Sequence, residues 1–313
     1  MSTTQNSREV AYRLFATEFE DATLSYSAGD DERAPKYVVT PTGGRINRLF
    51  TVGALTAVES VTDNLRRGRI ADPTGVFVTY AGQYQPAAAN FLEQATPPTF
   101  VALTGKARTY QPEESDQVLT SARPEGLTPV DADTRDRWAV GAAQATLRRI
   151  AIMNSARSLS VRGDALRNEL VSRGVDEAYA EGTALAIEHY GTTEFYLESL
   201  RKAAIQVLEL VAGNRDTVET PDPDPSETGA ASLGALPSIA IDTTPTSTST
   251  STSTTTSTVA DTTDNDLTAR RSDAESAPID TDTNTDTTVT AESSPSQAQT
   301  PDSGSGPGGQ CRH

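Results

Sequence analysis

Cations and tyrosine rings alternate in the central part of the chain. In residues 100–110, Lys106, Arg108 and Tyr110 occupy every second position. Small and apolar residues occupy the intervening positions, namely Val101, Leu103, Gly105 and Ala107. Since alternate residues of a β-strand point to opposite faces, the cations and the ring should share the outer face of a sheet. Such a face suits a single strand of nucleic acid, because cations follow phosphates and rings stack on bases.

Two preceding segments extend this outward set. Phe77, Thr79 and Ala81 fit an inward face, which turns Tyr80 outward, and the alternation before them turns Arg67 and Arg69 outward. The predicted nucleic-acid contacts are therefore Arg67, Arg69, Tyr80, Lys106, Arg108 and Tyr110. The alternative is a solvated, half-polar sheet face on which the tyrosines are only cross-strand packing partners.

Five short strands and one helix must position these side chains. The predicted strands span residues 49–55, 69–71, 76–81, 100–110 and 118–123, and the helix spans residues 86–94. An Asp-Pro-Thr-Gly turn at residues 72–75 joins the second and third strands, as in a hairpin. Pro86 suits the first turn of the helix, and Pro97-Pro98 ends it. Three strands, a helix and two strands, with Gly53 in the first strand, predict a five-stranded OB-fold β-barrel over residues 37–127.

The flanking regions differ in composition. Residues 1–36 read as an N-terminal helix, over residues 8–19, and a linker. Residues 130–213 read as a helical region that starts at an N-cap, Asp133. Trp138 is either a core residue against the barrel or, with Leu147 and Ile150, part of a partner interface. Residues 214–313 read as a disordered acidic tail rich in Ser, Thr and Asp, because they lack the apolar mass for a core.

The charge is unevenly distributed. The chain has a net charge of −17, and residues 216–313 carry 16 acidic and three basic side chains. Residues 45–125 carry eight of each, so the predicted barrel is neutral, although a basic domain is the usual sign of nucleic-acid binding. Only Lys36, Lys106 and Lys202 are lysines among 26 basic residues. This balance is typical of proteins that work in molar salt, and a mesophilic acidic protein is the alternative.

Several classes of site are excluded by composition. Cys311 is the only cysteine and His189 and His313 are the only histidines, which leaves no zinc quartet, disulfide framework or His-dependent triad. The Pro-Thr-Gly-Gly stretch at residues 41–44 lacks the Gly-Lys-Ser/Thr ending of a phosphate loop. We predict no catalytic residues, no metal and no cofactor. A polar start and the lack of a long apolar stretch predict a cytoplasmic protein without membrane contact.

Six segments resemble those of one known family. They are REVA (8–11), PTGGRINR (41–48), VGAL (52–55), ADPTG (71–75), YAGQYQP (80–86) and TGKAR (104–108). In order and spacing, over about residues 7–150, they are similar to the replication protein A-associated proteins of halophilic archaea, single-OB-fold partners of replication protein A. The resemblance implies a subunit of a single-stranded-DNA-binding complex in DNA replication and repair.

Two hypotheses follow. In the first, the barrel face contacts single-stranded DNA within a hetero-oligomer that contains a replication protein A subunit. In the second, the barrel binds replication protein A and not DNA, through the first helix and the Trp138 helix, which the neutral barrel favours. An enzyme is the weakest reading, since no nucleophile–base pair or carboxylate dyad stands out.

Overall fold

The computed structural model describes residues 9–31, 34–221 and 223–236. The strands are β1 (Leu24–Ser27), β2 (Lys36–Val39), β3 (Arg45–Ile46), β4 (Arg48–Thr62), β5 (Leu65–Ala71), β6 (Val76–Ala81), β7 (Thr99–Tyr110) and β8 (Leu119–Pro129). The helices are α1 (Ala16–Glu20), α2 (Pro86–Gln94), α3 (Ala132–Arg157), α4 (Gly163–Ser172), α5 (Glu177–Tyr190) and α6 (Glu194–Val211).

Strands β4 to β8 close into a barrel in the order β4-β5-β6-β8-β7. All pairings are antiparallel except that of β6 with β8. With α2 between the third and fourth strands, this is the OB-fold topology, which confirms the predicted fold class. β4 pairs with β7 through its first half and with β5 through its second half, so it must bend between them. A Cβ on Gly53 would lie 2.3 Å from the Ala71 carbonyl oxygen, which explains the glycine in this strand.

The barrel interior has the predicted parity. Val101, Leu103 and Ala107 of β7 are buried, as are Phe77 and Ala81 of β6. Three strands are longer than predicted. β4 continues past residue 55 to Thr62, because its second half pairs with β5. β5 already begins at Leu65, because pairing with β4 and β6 overrides the low strand propensity of its arginines and glycine. β8 continues to Pro129 through a register shift opposite Thr104 and Gly105.

The predicted N-terminal helix over residues 8–19 is wrong for most of its length. Residues 9–15 contain no helix, and Tyr12 forms a parallel bridge with Leu49 of β4. The helix starts only at Ala16, whose N–H donates to the half-buried Asp72 carboxylate at 2.8 Å. Asp72 belongs to the Asp-Pro-Thr-Gly turn, so this turn also fixes where α1 begins. The apolar spacing of the segment fits a helix equally well, and only this distant contact decides between the two structures.

A second sheet, of three strands in the order β1-β2-β3, precedes the barrel. Its strands all lie before residue 49, where the first of the five predicted strands begins. Asn47 fastens it to the barrel: its backbone oxygen accepts from the Ala107 N–H at 3.0 Å. Its side-chain amide donates to the Lys36 carbonyl oxygen at 2.8 Å. One residue therefore fixes β2 relative to β7.

A buried ion pair joins the N-terminal segment to the helices. Arg149 of α3 and Glu18 of α1 are both buried, and the Arg149 Nη2 lies 2.5 Å from the Glu18 Oε2. The Arg149 Nε donates to the other carboxylate oxygen at 3.1 Å, so the contact is bidentate. Thr42 and Thr146 supply further hydrogen bonds. Burial of two charges is tolerated only when the hydrogen-bonding groups are satisfied in this way.

Helix α3 begins two residues earlier than expected. The N-cap is Asp131, which accepts from the Thr134 N–H at 2.8 Å, and not Asp133. Both aspartates precede the apolar stripe, so the sequence alone did not distinguish them. Helix α5 ends at Gly191, which has the left-handed conformation with φ +60°.

The chain beyond α6 departs from the disordered tail predicted from residue 214. Val218 packs against the cluster that contains Trp138, and Leu233 and Leu236 pack against the cluster that contains Leu197. The Pro225 carbonyl oxygen accepts from the Thr193 N–H at 3.0 Å. The rest of the predicted tail, residues 237–313, lies outside the described residues. Among the helices that the structure describes, none is both long and apolar enough to cross a membrane.

Candidate nucleic-acid interface

The outer face of β7 and β8 carries three neighbouring cations. Lys106 and Arg108 are half-buried on the face opposite the barrel core, as predicted from their parity. Arg123 of β8 is the cross-strand partner of Lys106. Sequence reasoning did not select Arg123, because its position beside Lys106 depends on the register of two strands and not on spacing along the chain.

These cations line a groove at the end of the barrel where α2 begins. The groove encloses about 380 Å³, and we call it the barrel groove. Its lining residues are Tyr84, Gln85, Pro86, Ala87, Ala88, Lys106, Arg108, Arg123, Pro124 and Glu125. Tyr84 is 76% exposed, and the Arg123 guanidinium carbon lies 5.8 Å from the centre of its ring. The groove therefore presents an accessible ring beside three cations.

The electrostatics of the barrel groove favour an anion. Its one carboxylate, Glu125, is paired with Arg48 at 2.5 Å. Among the described residues, no carboxylate forms an ion pair with Lys106, Arg108 or Arg123. Burial and the nearby Arg123 guanidinium lower the pKa of Arg108, which nevertheless stays charged at neutral pH. A phosphate in this groove would relieve the mutual repulsion of the two guanidinium groups.

The remaining predicted cations lie on β5. Arg67 is the cross-strand neighbour of Tyr80 on β6, and Arg69 is exposed. Arg67 is already engaged by Glu59 of β4, whose carboxylate raises the pKa of Arg67. Because Thr79 of β6 pairs with Ala122 of β8, Tyr80 and Arg123 follow each other on the outer faces of adjacent strands. The β5–β6 patch therefore adjoins the barrel groove.

Tyr110 stands apart from the barrel groove. It ends β7 with 63% of its surface exposed, opposite Leu119, which is 44% exposed. The loop that follows carries Glu113, Glu114 and Asp116. These carboxylates would repel a phosphate backbone, so this ring is less well placed for DNA than Tyr80 or Tyr84.

The predicted partner interface on α3 needs correction. Trp138 is 3% exposed, and its indole N–H donates to the Phe50 carbonyl oxygen at 2.9 Å. Ile150 is buried, and Leu147 packs against the cluster around Trp138. Trp138 and Leu147 belong to the core between the helices and the barrel, which was the alternative for Trp138. Ile150 belongs to a second core cluster, which joins α3 to β2, α5 and α6. Their helical spacing was read correctly, but the spacing does not say whether the apolar stripe faces this chain or another.

The Pro-Thr-Gly-Gly turn has a packing role. Gly43 has φ +88°, which favours glycine. Helix α5 contacts the turn so closely that a Cβ on Gly182 would lie 2.2 Å from the Gly43 carbonyl oxygen. Helix backbone thus occupies the space over this turn. No group of three or more His, Cys, Asp or Glu side chains in the described part of the chain is arranged to hold a metal ion.

Comparison with known proteins gives partial structural alignments only. No family model matches the chain, and no curated protein matches its sequence. Among solved structures, the Stn1–Ten1 complex of S. pombe aligns with a TM-score of 0.34 at 11% identity, over 42% of this chain and 86% of that one. A replication protein A heterotrimer bound to single-stranded DNA aligns with a TM-score of 0.33 at 13% identity, over 45% and 98%. A small single-stranded-DNA-binding protein from Mycoplasma pneumoniae aligns with a TM-score of 0.22 at 19% identity, over 26% and 92%. Because these TM-scores are low, the function of this chain has to be inferred from the residues of its barrel.

Proposed function

We propose that this chain is the OB-fold subunit of a replication protein A-like complex that binds single-stranded DNA in replication and repair. The observation that carries the proposal is the barrel groove, in which Lys106, Arg108 and Arg123 lie beside the exposed ring of Tyr84. The resemblance of six sequence segments to the replication protein A-associated family supplies the biological setting.

The groove, together with the adjoining β5–β6 patch that carries Tyr80, offers the two interactions that sequence-independent binding requires. The three cations contact successive phosphates, while Tyr84 and Tyr80 stack on bases. Arg67 and Arg69 extend the positive surface along β5. The free energy of phosphate contacts comes largely from counterion release and falls as salt rises. In concentrated salt, the two rings therefore carry a larger share of the affinity than the cations do.

Fluorescence anisotropy of a labelled dT oligomer with the full chain tests the proposal. Removing a stacked ring costs about 1–3 kcal/mol per base, so Tyr84→Ala and Tyr80→Ala should each weaken binding by roughly 5- to 150-fold. Tyr110→Ala is the matched control, since that tyrosine is exposed like Tyr84 but lies at the end of β7, outside both the groove and the β5–β6 patch. A wild-type chain that is folded by circular dichroism and binds no dT, alone or with a replication protein A subunit, would contradict the proposal.

A second candidate function is an assembly subunit that binds replication protein A and not DNA. Its support is the β7–β8 hairpin, where Tyr110 and Leu119 expose apolar surface side by side above an acidic loop. The neutral charge of the barrel fits this reading as well. Co-elution with a replication protein A subunit, lost in Leu119→Ser and kept in Tyr84→Ala, would favour assembly over DNA binding.

A further inference from the structure

A second groove adjoins the barrel groove. It encloses about 330 Å³ between the three-stranded sheet and β7, and we call it the sheet groove. Its lining residues are Ser25, Tyr26, Ser27, Lys36, Tyr37, Val38, Ala107, Arg108 and Thr109. Arg108 lines both grooves, so the two are neighbours across a single side chain.

The walls of the sheet groove are held together by direct hydrogen bonds. The Thr109 hydroxyl donates to the Ser25 hydroxyl oxygen at 2.8 Å, which ties β7 to β1. The two hydrogen bonds of Asn47 tie β7 to the strand that begins with Lys36. These hydrogen bonds therefore hold the strands that carry Arg108 and Lys36 side by side without a ligand.

The sheet groove has the chemistry of a phosphate-binding surface. Lys36, Ser25 and Ser27 are exposed, and they add an ammonium and two hydroxyls to the Arg108 guanidinium. None of the described lining residues carries a carboxylate. Hydroxyl and cationic side chains are common partners of phosphate oxygens in nucleic-acid complexes.

The rings of the sheet groove are not free to stack on bases. Tyr37 is 6% exposed and lies beneath the Arg45 guanidinium, whose central carbon is 3.6 Å from the ring centre. Tyr26 packs on Tyr37 with ring centres 5.7 Å apart and donates its hydroxyl to Glu181 at 2.8 Å. Among its described lining residues, the groove thus offers partners to a sugar–phosphate backbone and no exposed ring to bases.

We propose that a DNA strand bound in the barrel groove continues past Arg108 into the sheet groove, where Lys36, Ser25 and Ser27 contact its phosphates. This inference rests on the proposed function and adds to it a binding segment outside the barrel. Tyrosine rings stack on the bases of the strand at the barrel groove, whereas the sheet groove contacts only its sugar–phosphate backbone. Oligomers long enough to span both grooves bind more tightly than those that fill the barrel groove alone.

The lysines of the chain allow a sharp test. Two of the three line these adjoining grooves, Lys106 in the first and Lys36 in the second. The third, Lys202, lies on α6 with its Nζ 3.8 Å from the Glu198 carboxylate. Acetylation of the three side chains at limiting reagent can be followed by mass spectrometry, with Lys202 as an internal control.

The full chain is acetylated with and without a dT oligomer longer than the ~16 nucleotides that one OB fold covers at most. We expect DNA to slow the modification of both Lys106 and Lys36 severalfold and to leave Lys202 unchanged. Protection of Lys106 without Lys36 would overturn the extended path and leave the proposed function standing. Protection of neither lysine, with a folded chain, would overturn both.

The salt dependence of dT binding by the Lys36→Ala variant provides a second measurement. Each phosphate contact to a single strand contributes about 0.7 to the slope of log K against log salt. Lys36→Ala should lower that slope by this amount for long dT and leave short dT unaffected, whereas Lys202→Ala should change neither. Equal slopes for the two variants on long dT would contradict the proposal.

Discussion

Arginines have different roles in two regions, the barrel groove and the buried junction where Glu18 of α1 pairs with Arg149 of α3. At the junction, Arg149 is surrounded by acceptors from Glu18, Thr42, Thr146 and the Arg13 carbonyl. In the barrel groove, Arg108 and Arg123 face each other without a paired carboxylate among the described residues. A satisfied buried arginine holds segments of the fold together, while clustered, unmatched guanidinium groups at a surface are available to an anionic ligand. The arginine that stabilises the fold is therefore distinct from the arginines that we assign to DNA binding.

The largest expected effect is at the junction. Glu18→Ala leaves the Arg149 charge buried without its partner, which should lower the free energy of unfolding by about 3–5 kcal/mol. Urea unfolding followed by circular dichroism measures this loss. Below the unfolding transition, affinity for dT should be unchanged, since Glu18 is not at the surface. A loss below 1 kcal/mol would mean that the pair contributes little to the fold.

The groove should show the opposite behaviour. Arg123→Gln removes one phosphate contact, so affinity for dT should fall severalfold at low salt and converge with the wild type as salt rises. Stability should change by less than about 0.5 kcal/mol, because the side chain is on the surface. Anisotropy across a salt series gives the first quantity, and urea unfolding gives the second. A large loss of stability would show that Arg123, like Arg149, stabilises the fold.

A titrating carboxylate near the junction gives the third prediction. Burial raises the pKa of Asp21 to about 6 from an ordinary value of 3.8, although Tyr196 donates a hydroxyl hydrogen bond to it at 2.7 Å. Its contribution to stability is complete below pH 3.8 and is lost as pH rises through 6. Relative to Asp21→Asn, the wild type should therefore lose about 1–2 kcal/mol between pH 4 and pH 7, allowing for partial exposure. Urea unfolding of both proteins at several pH values measures the difference, and a constant difference would exclude this titration.

The smallest effect is expected at a surface ion pair that belongs to neither region. Arg167 of α4 pairs with the exposed Glu177 of α5. Arg167→Gln should change stability by less than about 1 kcal/mol, because exposed pairs are screened and lose side-chain entropy. It should not change dT affinity, which makes it the matched control for Arg123→Gln. A loss of affinity at both positions would show that DNA binding depends on overall charge and not on the groove.

The sequence predicted part of the barrel groove but not the buried junction. The outward position of Lys106 and Arg108 follows from alternation within one strand, which a sequence displays directly. Arg123 and Tyr84 belong to the same groove, but they reach it through strand register and a loop, so no local pattern marks them. The Glu18–Arg149 pair was also missed, because its members are far apart in the chain. Local patterns predicted the barrel, and long-range contacts decided what surrounds it.

The buried pair also constrains the order in which the protein is made. The last barrel strand ends at Pro129, and Arg149 follows 20 residues later. At about 5–20 residues per second, a ribosome adds Arg149 roughly 1–4 s after the barrel sequence is complete. Until then Glu18 has no cation to accompany it into the interior, and its carboxylate stays hydrated. We therefore expect docking of the first helix to be a late step of synthesis, taken only after about two thirds of α3 has been made.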